Sequence, residues 1–350
     1  MTIRRIRTLL LGAAAGALLL TACGRHAPSV TAGAARGASE PESTGDMDPC
    51  SLLEPKEVEA ALGAPLAAPP FRAADAGPAE DGGQCAYEDA HFHRIVVDVT
   101  WEGATFAWKM LGNIQSMINQ GPTKGMLHLA DGSDIAGTWD EARVERCCAF
   151  ATLLGDQGVT IDAAGSNVAI GAAAKLADAA LRRLGKPLAI DGNAGVRAAR
   201  DFEAAHRPKP RDPCSLVTRA EAEALLGRLI AEPKAHGSAC DYELPPQGIR
   251  QVYELHIDWS GGFAQFHENN ALLAGFTRGM TANVSGAGRG EIEQLLEGTE
   301  APVGPEPWEA AHASITGIAA VKDDVMMSID TRGVKAANAA RLLQKAMSRL

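Results

Sequence analysis

Two histidines, His91 and His93, lie two residues apart and directly follow two carboxylates, Glu88 and Asp89. On a β-strand, side chains two residues apart point to the same face, so two imidazoles with this spacing could bind a metal ion. A metal-binding or hydrolytic site would then combine them with nearby carboxylates. The alternative interpretation, which we favour, is the solvated end of a β-hairpin.

The chain lacks the usual sequence signatures of catalysis. It contains no Gly-x-Ser-x-Gly elbow, no His-Glu-x-x-His, no phosphate-binding P-loop and no Cys-x-x-Cys. The glycine-rich run around Gly288 has no strand–helix pattern of a nucleotide-binding fold beside it. We therefore predict a protein that is not an enzyme and needs no cofactor.

The elements that must position any site occur twice. The sequence DPCSLLEPKEVEAALG at 48–63 returns as DPCSLVTRAEAEALLG at 212–227, an offset of 164 residues with ten of sixteen positions identical. Further matches follow in the same order: CAYE at 85–88 with CDYE at 240–243, VDVTW at 97–101 with LHIDW at 255–259, and Trp139 with Trp308. Self-similarity of this kind predicts two tandem copies of one domain.

Each copy has the pattern of helices bracketing consecutive strands. Thr218 and Glu221 have the spacing of a capping box, and Gly63 and Gly227 are placed to end the first helix of each copy. Runs rich in β-branched and apolar residues predict strands at 94–101, 135–145, 149–154, 158–162 and 251–259. Closing helices are predicted at 172–184 and 334–350. This order favours an α+β fold in which each domain has an antiparallel sheet packed with helices.

Four of the seven cysteines occupy matching places in the two copies. Because a compartment outside the cytoplasm permits disulfides, we predict Cys50–Cys85 and Cys214–Cys240 bonds that stabilise each domain. A redox or metal-binding pair is the alternative, but neither copy has the close cysteine spacing that it needs.

Cys147 and Cys148 have no counterpart in the second copy. Adjacent residues on a strand point to opposite faces, so a bond between them requires a strained turn. Four cysteines in the first copy allow three complete pairings, among which the sequence does not choose. We slightly favour free thiols, one buried and one partly exposed.

The N-terminus has the layout of a secretory signal. Arg4, Arg5 and Arg7 precede a short uncharged run, which ends in Leu-Thr-Ala-Cys at 20–23. This ending resembles a bacterial lipobox, in which Cys23 receives acyl chains such as palmitate and becomes the new N-terminus. Several acyl chains on one cysteine give stable membrane anchoring.

These features divide the chain into five segments. We predict a signal peptide at 1–22, a lipid-anchored flexible tether at 23–47, a first repeat at 48–185, a linker at 186–210 and a second repeat at 211–350. The expected location is the cell envelope, with the protein facing the periplasm or the exterior. A net charge of −10 argues against nucleic acid as a partner.

The repeated motifs resemble a known family. Asp-Pro-Cys-x-Leu, the helix ending in Leu-Gly, and Cys-x-Tyr look like an uncharacterised domain of bacterial envelope lipoproteins, familiar in actinobacteria. The resemblance implies a secreted, lipid-anchored, disulfide-bearing α+β domain without known enzymatic activity, and it supplies no catalytic residues. We therefore expect a protein that acts by binding an envelope protein or a small ligand.

Overall fold

The computed structural model describes residues 47–74, 77–80, 82–119, 130–131, 134–145, 148–246, 251–270, 307–313, 317–330 and 336–350. The predicted signal peptide, the tether up to residue 46 and Cys147 lie outside these residues, as do Cys23 and the glycine-rich run near Gly288. In the described part, the chain forms two antiparallel sheets with helices packed on them, so the predicted α+β class is confirmed.

The first sheet belongs to the first repeat, and all its neighbouring strands are antiparallel. From edge to edge the order is β2 (Gly77–Pro78), β1 (Phe71–Ala74), β3 (Gln84–Glu88), β4 (Arg94–Thr100), β8 (Gln157–Asp162), β7 (Ala149–Leu154), β6 (Glu141–Glu145) and β5 (Ala130–Asp131).

The sequence analysis was incomplete at both ends of this sheet. It missed β1 and β2, which are short, and it extended β6 too far toward the N-terminus. Residues 135–140 form bends rather than a strand. The chain folds back here because Gly137 has no side chain: a Cβ atom on it would lie 2.1 Å from the Trp139 ring.

The second sheet belongs to the second repeat and is also antiparallel. Its order is β12 (Ala310–Ala313), β13 (Gly317–Lys322), β14 (Val325–Asp330), β11 (Gln251–Asp258), β10 (Ala239–Leu244) and β9 (Lys234–His236). The central order β3-β4-β8-β7 of the first sheet returns here as β10-β11-β14-β13. The two sheets therefore repeat the same topology, as the sequence duplication predicts.

The helices alternate with the strands along the chain. They are α1 (Pro55–Leu62), α2 (Ala104–Asn119), α3 (Ile170–Arg183), α4 (Gly192–His206), α5 (Arg219–Leu226) and α6 (Ala336–Met347), together with helical residues 262–270. The predicted capping box begins α5, and Gly63 ends α1 with a φ of 77°. In the described residues, no helix combines the length and apolar character needed to cross a bilayer.

Each repeat has its core between one face of its sheet and its closing helix. The small and branched residues of α3 face Phe150, Val159 and Ile161, and those of α6 face Met327 and Ile329. Successive strand residues alternate between this core and the opposite, outer face of the sheet. The four tryptophans that match between the copies pack at the margins of the cores; they are Trp101, Trp139, Trp259 and Trp308.

The Asp-Pro-Cys-Ser motif makes the same hydrogen bonds in both repeats. The carboxylate of Asp48 accepts from the Cys50 backbone N–H at 3.0 Å, and that of Asp212 accepts from Cys214 at 2.9 Å. Each motif thereby forms a short 3₁₀ helix, at Pro49–Leu52 and Pro213–Ser215. The tyrosine of each Cys-x-Tyr motif donates a hydrogen bond from its hydroxyl to a backbone carbonyl just after this helix. Tyr87 donates to Leu53, and Tyr242 donates to Val217.

The structure contains both disulfides predicted from the duplication. Cys50 is bonded to Cys85 on β3, and Cys214 to Cys240 on β10. Each bond therefore joins a 3₁₀ helix to a central strand rather than joining the first α-helix to the first strand. Cys148 is also disulfide-bonded, so the expectation of a free thiol there is wrong.

The segment expected to link the repeats contains the fifteen-residue helix α4. Val196 and Ala199 of α4 pack on Phe71 and Ala73, on the outer face of the first sheet near its β1 edge. Helix α4 can lie this close to the chain before β1 because Gly195 lacks a side chain. A Cβ atom on Gly195 would lie 2.1 Å from the Pro70 carbonyl oxygen. Helix α4 thus covers part of this face and leaves the rest open.

Candidate functional site

A charged cluster joins elements of both repeats beside the open part of the first sheet's outer face. The first repeat contributes the β3–β4 turn, α4 adds residues at its C-terminal end, and the second repeat contributes the β13–β14 turn and the residue before β12. We call this set the inter-repeat cluster: Glu88, Asp89, His91, His93, Arg94, Glu203, Arg207, Glu309, Asp323 and Asp324.

The two candidate histidines lie in the turn between β3 and β4. Phe92 separates them in a left-handed conformation with a φ of 64°, so strand alternation does not apply and the rings are 6.1 Å apart. His91 Nδ1 lies 3.0 Å from Asp323 Oδ1, and its side chain is 62% exposed. His93 instead contacts Asp89 and Glu309, and Glu309 also lies within reach of His91, so the two imidazoles have separate main partners and one carboxylate between them.

His93 is held between carboxylates of the two repeats. Its Nδ1 donates to Asp89 Oδ2 at 2.8 Å, and its Nε2 lies 2.8 Å from Glu309 Oε2 in an ion pair without hydrogen-bond geometry. Its ring also contacts Phe263, with ring centroids 4.5 Å apart. The solvated hairpin end that we favoured from the sequence describes His91, whereas His93 is only 17% exposed.

The charge state of His93 follows from these partners. Burial disfavours the imidazolium, but the hydrogen bond to Asp89 and the contact with Glu309 outweigh burial and raise the pKa of His93 to about 9. The same contacts outweigh burial at Asp89 and Glu309 and lower the pKa of both carboxyls. Near neutral pH, His93 is therefore a cation with both ring nitrogens engaged.

Raising the pH is expected to destabilise the protein through His93. Its pKa is about 9 in the folded state and 6.5 in the reference state, so its contribution is complete below pH 6.5 and is lost as the pH rises through 9. After a discount for solvent screening, the loss is about 1 to 2 kcal/mol. Urea unfolding of the wild type and His93→Gln between pH 6 and 10 measures it. A difference between the two proteins that stays constant over this range would contradict the assignment.

Two arginines bind the carboxylates at the other end of the cluster. Arg94 donates to Glu88 Oε2 at 2.8 Å and to Glu203 Oε1 at 2.9 Å. Arg207 donates to Asp324 Oδ2 at 2.6 Å and to Glu203 Oε1 at 3.3 Å. Glu203 therefore bridges the two guanidinium groups, and Arg207 ties the end of α4 to the second repeat.

The β13–β14 turn is shaped for this contact. Asp323 and Asp324 form a two-residue hairpin loop, and both have positive φ, as the turn type that suits antiparallel strands requires. The carboxylate of Asp324 also accepts from the backbone N–H groups of Gly261 and Phe263, at 2.8 and 3.2 Å. One aspartate thus holds Arg207 and the start of helical residues 262–270 together.

A cavity of about 970 Å³ lies beside the cluster, with walls from both repeats. The outer face of the first sheet forms one wall through side chains of β3, β4 and β8, and residues 260–268 of the second repeat form the other. In the part of the chain that the structure describes, six acidic side chains line it: Asp98, Glu145, Asp162, Glu203, Glu268 and Asp324. The basic side chains there are Arg94 and Arg207. A cavity of this size accommodates a small organic molecule.

Among the described residues, two groups of side chains have ligand atoms close enough to share a metal ion. The first group is His91, Glu309 and Asp323. Each residue offers one ligand atom, and these three atoms lie within 4.8 Å of one another. The second group, His236, Asp241 and Glu254, lies on β9, β10 and β11 of the second sheet. Sequence reasoning identified only His91 among these residues, because the others come from separate strands and turns.

Neither candidate histidine is paired with a nucleophile in the described residues. No serine, threonine or cysteine side chain there forms a hydrogen bond with His91 or His93, so neither imidazole is paired with a nucleophile. His93 is protonated near neutral pH and cannot accept a proton. What the arrangement can do is bind a polar molecule against a charged wall that both repeats build.

Comparisons of this chain with protein-family models, with curated proteins and with solved structures find no match.

Proposed function

We propose that this chain is a lipid-anchored cell-envelope protein that acts without catalysis, by binding a small polar ligand in the cavity between its repeats. The observation that carries the binding role is the cavity itself, which is lined by eight charged side chains from both repeats and from α4. The signal layout and the Leu-Thr-Ala-Cys ending at 20–23 support the anchor on Cys23.

The contacts around the cavity also support binding. A site between two units can change its opening when a ligand contacts both, and here Arg207 and Asp324 fasten the two walls at one end. The ligand would lie between the first sheet and residues 260–268. A protein of the envelope that carries such a site serves to capture or sense a molecule outside the cytoplasm.

Blocking the cavity is expected to remove the native ligand. Ala264 is half-buried and lines the cavity from the helical segment 262–270, so Ala264→Trp would fill this space. Gln265→Trp is the matched control, because Gln265 is exposed and does not line the cavity. Each protein would be purified from its own membranes and denatured, and the released small molecules measured by mass spectrometry. The proposal expects one compound near equimolar amounts in the wild type and control, and at least tenfold less in Ala264→Trp.

The same experiment can reject the proposal. If no compound is released from the wild type in near-equimolar amounts, the cavity does not hold a tightly bound ligand. If Ala264→Trp keeps its compound, the ligand binds elsewhere.

A metal-binding or hydrolytic function is the second candidate, and the grouping of His91 with Glu309 and Asp323 favours it. His93, which the sequence placed beside His91 in such a site, is already engaged by two carboxylates. Zinc content of the wild type and His91→Ala separates the two functions, with His206→Ala as an exposed control. Zinc bound in the wild type and lost only in His91→Ala would establish the metal site.

A further inference from the structure

We infer that the cavity selects an organic cation with at least two amino groups, the class to which linear polyamines belong. This inference rests on the proposed binding function and names the chemistry of its ligand. It follows from how the charged groups in the cavity wall are partnered.

The wall carries more negative than positive charge. Among the described residues, its six carboxylates and two guanidinium groups leave an excess of four negative charges if all are ionised. Including the adjacent ion-pair partners Arg143 and Glu88 and setting aside Glu268, which has an interaction of its own, still leaves an excess of three. A field of this sign attracts cations into a cleft and repels anions.

The arginines are not open to an anionic ligand. Arg94 is bound by Glu88 and Glu203, and Arg207 by Glu203 and Asp324. An anion would have to displace these carboxylates and leave them half-buried without a cation, which is costly. Arg94 and Arg207 therefore stabilise the fold and are not available to bind a ligand.

Two carboxylates on the sheet wall, in contrast, have no cationic partner in the described residues. Asp98 on β4 accepts a hydrogen bond from Gln84 Nε2 at 3.1 Å, and Asp162 on β8 accepts one from the Ala164 backbone N–H at 2.8 Å. Neither residue has an ion pair there. Both are half-buried, where an ammonium group gains more from a carboxylate than it does in open water.

The spacing of these carboxylates suits a ligand with two charged nitrogens. β4 and β8 are neighbours, and Asp98 is paired with Thr160, so Asp162 is its diagonal neighbour on the same face. Diagonal side chains on antiparallel strands are about 7 Å apart. One flexible molecule can therefore place an ammonium group at each carboxylate.

Titration of the full-length protein in detergent with spermidine tests this inference, at an ionic strength that screens weak surface binding. We expect one site, and at least tenfold weaker binding in the variant Asp98→Asn with Asp162→Asn. Asparagine keeps an oxygen for both hydrogen bonds, so thermal unfolding of this variant is expected to match the wild type. Asp201→Asn is the control, because Asp201 is 78% exposed on α4 and outside the cavity wall, and it should bind spermidine like the wild type.

The outcomes distinguish this inference from the proposed function. If the protein binds citrate and does not bind spermidine, the ligand is an anion and the inference of an organic cation is overturned. The cavity would then still be a ligand site. Equal spermidine binding by the wild type and the double variant would place the cation elsewhere and overturn the inference. Absence of spermidine binding also overturns it, and the release experiment with Ala264→Trp then decides separately whether the cavity holds a ligand at all.

Discussion

Replacing Cys50 and Cys85 together by alanine is expected to lower the free energy of unfolding of the first repeat by about 3 to 4 kcal/mol. The bond closes a loop with a sequence separation of 35 residues, so its loss gives the unfolded chain much more conformational freedom. Both sulfurs are fully buried in the core beside Leu52 and Val97, which adds a cost for the space left behind. Urea unfolding followed by circular dichroism measures the change.

The second repeat supplies the matched comparison. Cys214 and Cys240 are 26 residues apart, so replacing both by alanine should lower the free energy of unfolding of the second repeat by nearly as much. Reducing agent on the wild type breaks these two bonds and the bond at Cys148 together, so it should lower the free energy of unfolding as well. A decrease below about 1 kcal/mol in either double variant would contradict the view that these bonds stabilise the repeats.

Arg207→Met is expected to lower the free energy of unfolding by about 2 to 3 kcal/mol. Methionine keeps the packing of the side chain over the Phe92 ring, where the guanidinium now lies 4.4 Å from the ring centre. The lost charge leaves Asp324 and Glu203 facing each other without this cation, and Glu88, only 3% exposed, loses a neighbour. Because Arg207 ties α4 to the second repeat, the cavity should open as well.

Arg200→Met is the control for this substitution. Arg200 lies on the same helix and is 54% exposed; it donates to the Pro78 carbonyl at 3.1 Å and has Glu80 at 3.8 Å. Because these contacts are exposed, its loss should lower the free energy of unfolding by less than about 1 kcal/mol. Adding Asp324→Asn to Arg207→Met should recover part of the loss, because one unpaired charge is removed. Equal losses of unfolding free energy for Arg207→Met and Arg200→Met would show that the inter-repeat cluster stabilises the protein no more than exposed contacts do.

Much of the fold could be predicted because it repeats along the chain. The recurrence of Asp-Pro-Cys-Ser and Cys-x-Tyr predicted one disulfide in each copy, and both motifs make the same hydrogen bonds in the two copies. Strand β4 was predictable from its β-branched residues. Strands β1 and β2 were not, because they are very short and gain their stability from α4 and neighbouring strands.

The candidate site was much less predictable, since its contacts join distant parts of the chain. His91 and Asp323 are 232 residues apart in sequence, and Arg207 and Asp324 are 117 apart. The spacing of His91 and His93 identified them as candidates, but the prediction assumed that both lie on one strand. In the structure, Phe92 between them forms a turn. The local signals for α4 in the linker are the N-cap residue Asp191 and the pairs Arg197–Asp201 and Glu203–Arg207, each four residues apart.

A native mass spectrum of the protein, purified gently from its own membranes, tests the central claim most directly. The account predicts a chain that begins at Cys23, carries acyl chains there, has its disulfides formed and holds one additional small molecule. That molecule should leave as a cation on activation and be absent from Ala264→Trp. A chain with an unmodified N-terminus, or an acylated chain with no added mass, would contradict the account of a lipid-anchored binding protein.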